Sequence, residues 1–241
     1  MKNLTGSNET DRNIFWLFLI LLSIDLAFLG LHGLKEFIPR LDVSLFRLES
    51  DGGLAESFQY IKELAIIVFL LVIGRRRSGF AYLSWVTLFL YVLCDDLFMI
   101  HESAGLYISD VFELSNPLVR SRDVGELLVS LTAGTLLFGI IGFAYVFGSK
   151  AFRAFSHDLI VLFGLLAFFG IVVDLIHAMF TFNRLYSFLM AAVEEVGEML
   201  VMSLIVIYAY GVSALDPSAD FRVTNKVAER LWGLVRQRSA N

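Results

Sequence analysis

Val193-Glu194-Glu195-Val196-Gly197-Glu198-Met199 sits inside a run, Leu185 to Val212, that is apolar at almost every other position and long enough to cross a bilayer. At 100° per residue Glu194, Glu195 and Glu198 fall on an arc of about 100°, so all three share one helix face. Lipid cannot solvate an ionised group, and a carboxylate inside a span marks a functional site by default.

The rest of the composition agrees with a membrane setting. The chain has 241 residues, 57% of them hydrophobic and 18% charged, and a mean hydropathy of +0.73. A soluble domain carries about 25% charged residues. The apolar runs are continuous and lack period-two alternation, which predicts helices rather than a barrel. The expected fold class is all-α: a polytopic bundle of six transmembrane helices with a C-terminal amphipathic helix. Residues 1–13 are expected as a polar, disordered tail, residues 14–212 as the bundle, and residues 213–241 as a basic amphipathic cytoplasmic tail. The single Cys94 excludes an internal disulfide and a CxxC motif. No basic stripe on a soluble fold is present, so nucleic acid is not an expected partner; membrane lipid is.

The six expected spans begin at about Ile14, Glu56, Gly79, Val124, Leu159 and Leu185. Arg75-Arg76-Arg77, Lys150, Arg153 and the basic tail fall on one side of the membrane with the N-terminus. The positive-inside rule puts both termini in the cytoplasm. The expected location is a bacterial inner (plasma) membrane, with the site facing the periplasm or exterior. In this topology Asp25, His32, Glu56, Glu63, Asp95, Asp96, His101, Glu102, Glu126, Asp174, His177 and the three glutamates of the last span all lie in the outer half or near the midplane. The inner halves are almost purely apolar. On straight helices the pairs Asp25/His32, Glu56/Glu63 and Asp95/Glu102, each seven residues apart, line up within about 20°. By the same geometry His101 points about 120° away from Asp95. A shared hydrophilic chamber follows as the expectation.

Carboxylates pooled there with few basic partners must take up protons or bind cations, because an unpaired buried charge costs several kcal/mol. Carboxylate oxygen with imidazole nitrogen suits zinc, iron or manganese. The expected metal ligands are Asp95, Glu102, Asp174, His177, Glu195, Glu198 and His32, with Glu194 as general base. Asp25, Glu63, Asp96, His101 and Glu126 are further cavity candidates. Asp174-x-x-His177 is similar to the Glu-x-x-His ligand pair of helix-bundle di-iron carboxylate proteins. Glu195-x-x-Glu198 departs from that motif, so the likeness is one of ligand chemistry. His32, His101 and His177 at one membrane face resemble the histidines of zinc hydrolases such as the alkaline ceramidases, without those proteins' paired histidines on the last span. Ser156-His157-Asp158 has the residue types of a catalytic triad, but adjacent positions before a helix read as a helix cap.

Three functions compete. A metal-dependent enzyme, hydrolase or di-iron oxidase, would act on a lipid or other hydrophobic substrate. A cation or proton transporter would use the same carboxylates. An assembly subunit would dock them against another membrane protein.

Overall fold

The computed structural model describes residues 2–37, 48, 53–77, 79–114, 120–180 and 183–215, and among these the regular structure is all helical. The helices are α1 (Lys2–Phe37), α2 (Leu54–Arg76), α3 (Tyr82–Phe98), α4 (Ile100–Val111), α5 (Ser121–Phe147), α6 (Lys150–Ala167), α7 (Asp174–Met179) and α8 (Arg184–Ala214). A π-helical turn, Phe168–Val173, joins α6 to α7. Short local signals start several of them. The Ser149 hydroxyl accepts from the Phe152 N–H at 3.2 Å to cap α6, and the Asn183 side chain accepts from the Tyr186 N–H at 2.9 Å to cap α8.

Four helical stretches are long and apolar enough to cross a membrane: Glu9–Leu34, Leu54–Arg76, Ser121–Phe147 and Lys150–Met179. A fifth exists if α3 and α4, bent by 70°, count as one broken span. Outward-facing Leu, Val and Phe side chains are the normal surface of such helices in lipid. On α5, for example, Leu136, Phe143 and Phe147 are 66–75% exposed. α8, which covers the sixth expected span, is the central helix, packed by α1, α2, α6 and the π turn.

Several sequence expectations are corrected. Residues 2–13 are helical, continuous with the rest of α1; extending an existing helix gains a hydrogen bond per residue, and the polar composition does not stop it. The expected third span, Gly79 to His101, breaks at Met99, which takes a left-handed conformation with φ 48° and ψ 48°. The expected short helix at Leu106–Leu114 begins earlier, at Ile100. Ser156 is not a cap: it lies inside α6, buried, where its hydroxyl accepts from Trp85 Nε1–H at 3.0 Å. The expected amphipathic helix of the tail falls largely outside the described residues.

The core lies at the end of the bundle where α2 ends and α6 begins. Leu70, Ile73, Tyr82, Trp85, Phe152, Phe155, Leu159, Ile205, Tyr208 and Val212 are all at most 8% exposed there. Tyr82 meets Phe152 and Phe155 edge-on at 5.1 and 5.2 Å between centroids, and Phe155 stacks on Tyr208 at 5.6 Å. These geometries are the favoured ones for aromatic pairs. The result is a dry aromatic plug. Ser156→Ala removes the acceptor for the indole N–H in this plug, and an unsatisfied buried donor costs about 1–3 kcal/mol. That loss is expected as a lowered unfolding midpoint in detergent, with Ser156→Thr retaining most of the stability.

Candidate functional site

At the other end the same helices diverge around a cavity of about 790 Å³. Its walls come from the first half of α2, the last turns of α3, the start of α4, the first half of α5, the end of α6 with the π turn, and the first half of α8. Ten carboxyl groups line the cavity: Glu56, Glu63, Asp95, Asp96, Glu102, Glu126, Asp174, Glu194, Glu195 and Glu198. Among the described residues one basic side chain joins them, His101, and no lysine or arginine does. The floor is apolar. Phe138 and Phe163 line it and meet each other at 5.5 Å, with Trp85 edge-on to Phe138 and Phe89 edge-on to Phe163 beneath.

The mouth is internally neutralised. Arg122 bridges Glu102 of α4 and Glu126 of its own helix, and Arg120 holds Asp123 at 3.0 Å. Asp95 accepts the His101 backbone N–H at 2.8 Å with one oxygen and lies 2.9 Å from His101 Nδ1 with the other. The break at Met99 makes this possible. A left-handed non-glycine residue costs roughly 1–2 kcal/mol, and Asp95 offsets it by satisfying one of the orphan N–H groups at the start of α4. Straight-helix geometry, which points His101 away from Asp95 and aligns Asp95 with Glu102, fails for this reason. Asp95 pairs with His101 and Glu102 with Arg122; they do not form one ligand pair.

Where α4 crosses α5 the two chains touch backbone to backbone. A Cβ on Gly125 would lie 2.1 Å from the Gly105 carbonyl oxygen, and one on Gly105 would lie 2.5 Å from the Glu126 nitrogen. This crossing sets Glu102, Arg122 and Glu126 side by side at the rim.

Deeper in, the carboxyls stand in pairs. The Glu63 side chain is 0% exposed, no donor reaches either of its oxygens, and the Asp96 carboxyl lies within hydrogen-bonding reach. Asp174 and Glu194 form a second such pair, and His177 Nδ1 is 3.0 Å from Glu194 Oε2. A carboxylate is an acceptor only; the second pair has His177 as a partner, whereas among the described residues nothing donates to Glu63. Glu198 reaches the π turn. A Cβ on Gly170 would sit 2.5 Å from Glu198 Oε1, and a Cβ on Gly197 would sit 2.2 Å from the Phe169 ring. The two glycines let the π turn and α8 approach closely. A π turn inserts an extra residue and is frequent at functional sites; here it directly precedes Asp174.

Two expected cavity residues lie elsewhere. Asp25 is buried between α1, α2 and α8, where it takes Lys62 Nζ at 2.7 Å and the Ser203 hydroxyl at 2.7 Å. Lys62 also donates to the Met199 carbonyl at 2.9 Å. His32 stacks on Phe188 at 5.0 Å between centroids, and its Nδ1 faces the Leu48 N–H at 3.5 Å. His177 touches the site through Glu194. Of the expected metal ligands, Asp95, Glu102, Asp174, Glu195 and Glu198 do line the chamber. Among the described residues, however, no three His, Cys, Asp or Glu side chains gather into a group that could hold a metal ion.

Sequence reasoning missed Lys62 as the partner of Asp25, the Tyr60 hydroxyl bonded to Glu56, and the π turn. Gly170 and Gly197 carried a signal: an isolated glycine inside a helix implies a close approach. Nothing in the residue types announces the left-handed Met99.

Residues 60–213 match the family described as a domain of unknown function, DUF8692. That is more than half of the chain. The chain belongs to this family. No curated protein and no solved structure matches it significantly. The DUF8692 segment runs from within α2 to the end of α8 and takes in every chamber acid except Glu56. It leaves out Asp25 and His32.

Proposed function

We propose that the protein is a six-span membrane enzyme, both termini cytoplasmic, that acts on a lipid or other hydrophobic substrate entering the chamber from the outer leaflet. The observation that carries this reading is the asymmetry of the bundle. Acid–base groups crowd one end over an aromatic floor, and beneath that floor the helices close on the aromatic plug, which favours a reaction vessel over a conduit. The lysine and arginine distribution supports the orientation. Glu194 is the general base: it faces the cavity, and His177 and Asp174 hold its two sides. The same neighbours fix its rotamer, as second contacts do at productive sites.

A divalent metal such as zinc, iron or manganese would supply an activated water. The carboxyls stand as pairs rather than as a three-ligand group, so metal content enters as an outcome of the test. Purified wild type and Glu194→Gln are incubated with a mixed-lipid nanodisc and the lipids followed by mass spectrometry. Wild type is expected to convert at least one lipid class, and Glu194→Gln to lose about 10²- to 10⁴-fold of that rate. Metal analysis of the same preparations reads out metal dependence. Absence of any conversion by wild type, or an unaltered rate in Glu194→Gln, contradicts the reading.

A cation or proton transporter is the second reading. The broken helix at Met99 and the π turn beside Asp174 favour it, because discontinuous helices are frequent at transporter sites. Its sign is charge-coupled flux in liposomes that Glu198→Gln abolishes.

A further inference from the structure

Glu63 lies about 14 Å along α2, at 1.5 Å per residue from Leu54. Its carboxyl is fully enclosed, and among the described residues no donor meets either oxygen. Gln59, one turn earlier and also lining the chamber, has its side-chain oxygen buried without a donor. Among the described residues Arg120 and Arg122 do not line the cavity, and Lys62, next to Glu63 in the chain, is occupied by Asp25 and the Met199 carbonyl. The deep half of the chamber therefore presents acceptors that ask for a positively charged donor.

Immediately below, the character changes. Leu88, Val92, Leu137, Phe138, Phe163 and Leu166 line the cavity there. A bare ion has no use for this part of the space. At about 790 Å³ the cavity is in the range for organic ligands. A metal ion would need converging ligands, which the described residues do not form.

We propose that the occupant of the chamber is an amphiphile with a protonated amine head that carries N–H donors. Its head sits among Glu63, Asp96 and Glu198, and its hydrocarbon chain lies on the Phe138–Phe163 floor. The head neutralises the Glu63–Asp96 pair. This deepens the enzyme reading by naming the charge class of its substrate, and rests on that reading's placement of the site.

The test uses the full chain in a neutral maltoside detergent, titrated calorimetrically with decylammonium, with decanol, and with manganese chloride alone. The ammonium is expected to bind about tenfold or more tightly than decanol, the advantage of a charge-assisted contact. Glu63→Gln, which keeps the shape of the side chain, is expected to remove most of that advantage and leave decanol unchanged. The wild-type comparison stands without the variant, so a folding defect in Glu63→Gln cannot shelter the proposal. Equal affinities for ammonium and decanol overturn it. So does tight manganese binding with no ammonium binding, or an ammonium affinity that Glu63→Gln leaves intact in a folded protein. Ammonium binding without turnover of any lipid sinks the enzyme reading alone. Lipid turnover indifferent to head-group charge and to added ammonium sinks this proposal alone.

Discussion

Lys62→Met is expected to cost about 3–5 kcal/mol of stability, because it removes one partner of a buried ion pair and strands the other. Asp25 is 0% exposed and Lys62 is 1% exposed. The ammonium ties three helices at one point, through Asp25 on α1, its own position on α2 and the Met199 carbonyl on α8. Without it Asp25 keeps only the Ser203 hydroxyl. The double variant Lys62→Met with Asp25→Leu is expected to recover most of the loss, since an apolar pair of similar volume replaces a buried ion pair at little cost. Unfolding in mixed micelles with increasing SDS measures both. A loss below about 1 kcal/mol for the single variant, the value of a solvated ion pair, contradicts the buried geometry.

Gly125→Ala is expected to lose about 3 kcal/mol, the upper end for overpacking. The atom in the way is the Gly105 carbonyl oxygen at 2.1 Å, and a backbone atom has no rotamer by which to yield. Helix α4 must lift off α5, and Arg122 then loses Glu102 while keeping Glu126 one turn along its own helix. Gly139→Ala on the same helix has nothing within 4 Å of the new Cβ. It is expected to gain up to about 1 kcal/mol from alanine's better helix propensity. Opposite signs at two glycines of one helix, read by the same unfolding assay, isolate the crossing as the cause. Equal effects contradict it.

The chamber itself was legible in the sequence, because the cost of burying carboxylates in lipid forces them to one place and period 3.6 says which face they share. Glu56, Glu63, Asp96, Asp174, Glu194 and Glu198 follow this rule. The failures have one origin, the assumption of straight helices with independent residues. The left-handed Met99 re-aims His101 and Glu102, so the seven-residue alignment with Asp95 does not survive. Asp25 had a partner that periodicity cannot see, a lysine on a different helix. His32 is placed by a ring on α8, Phe188, a contact between residues far apart in the chain. Local pattern reports faces and depths; which groups meet is decided by helix breaks and by packing between helices.

Thiol accessibility in sealed vesicles tests the central claim most directly. In a Cys94→Ser background, single cysteines at Gln59, Thr135 and Ile171 sample three walls of the chamber, and cysteines at Ile73, Phe155 and Ile205 sample the plug. A membrane-impermeant thiol reagent is expected to label all three chamber positions from one face of the membrane only, and none of the plug positions from either face. Labelling of chamber positions from both faces, or of the plug, would show a passage through the bundle and contradict a single closed vessel.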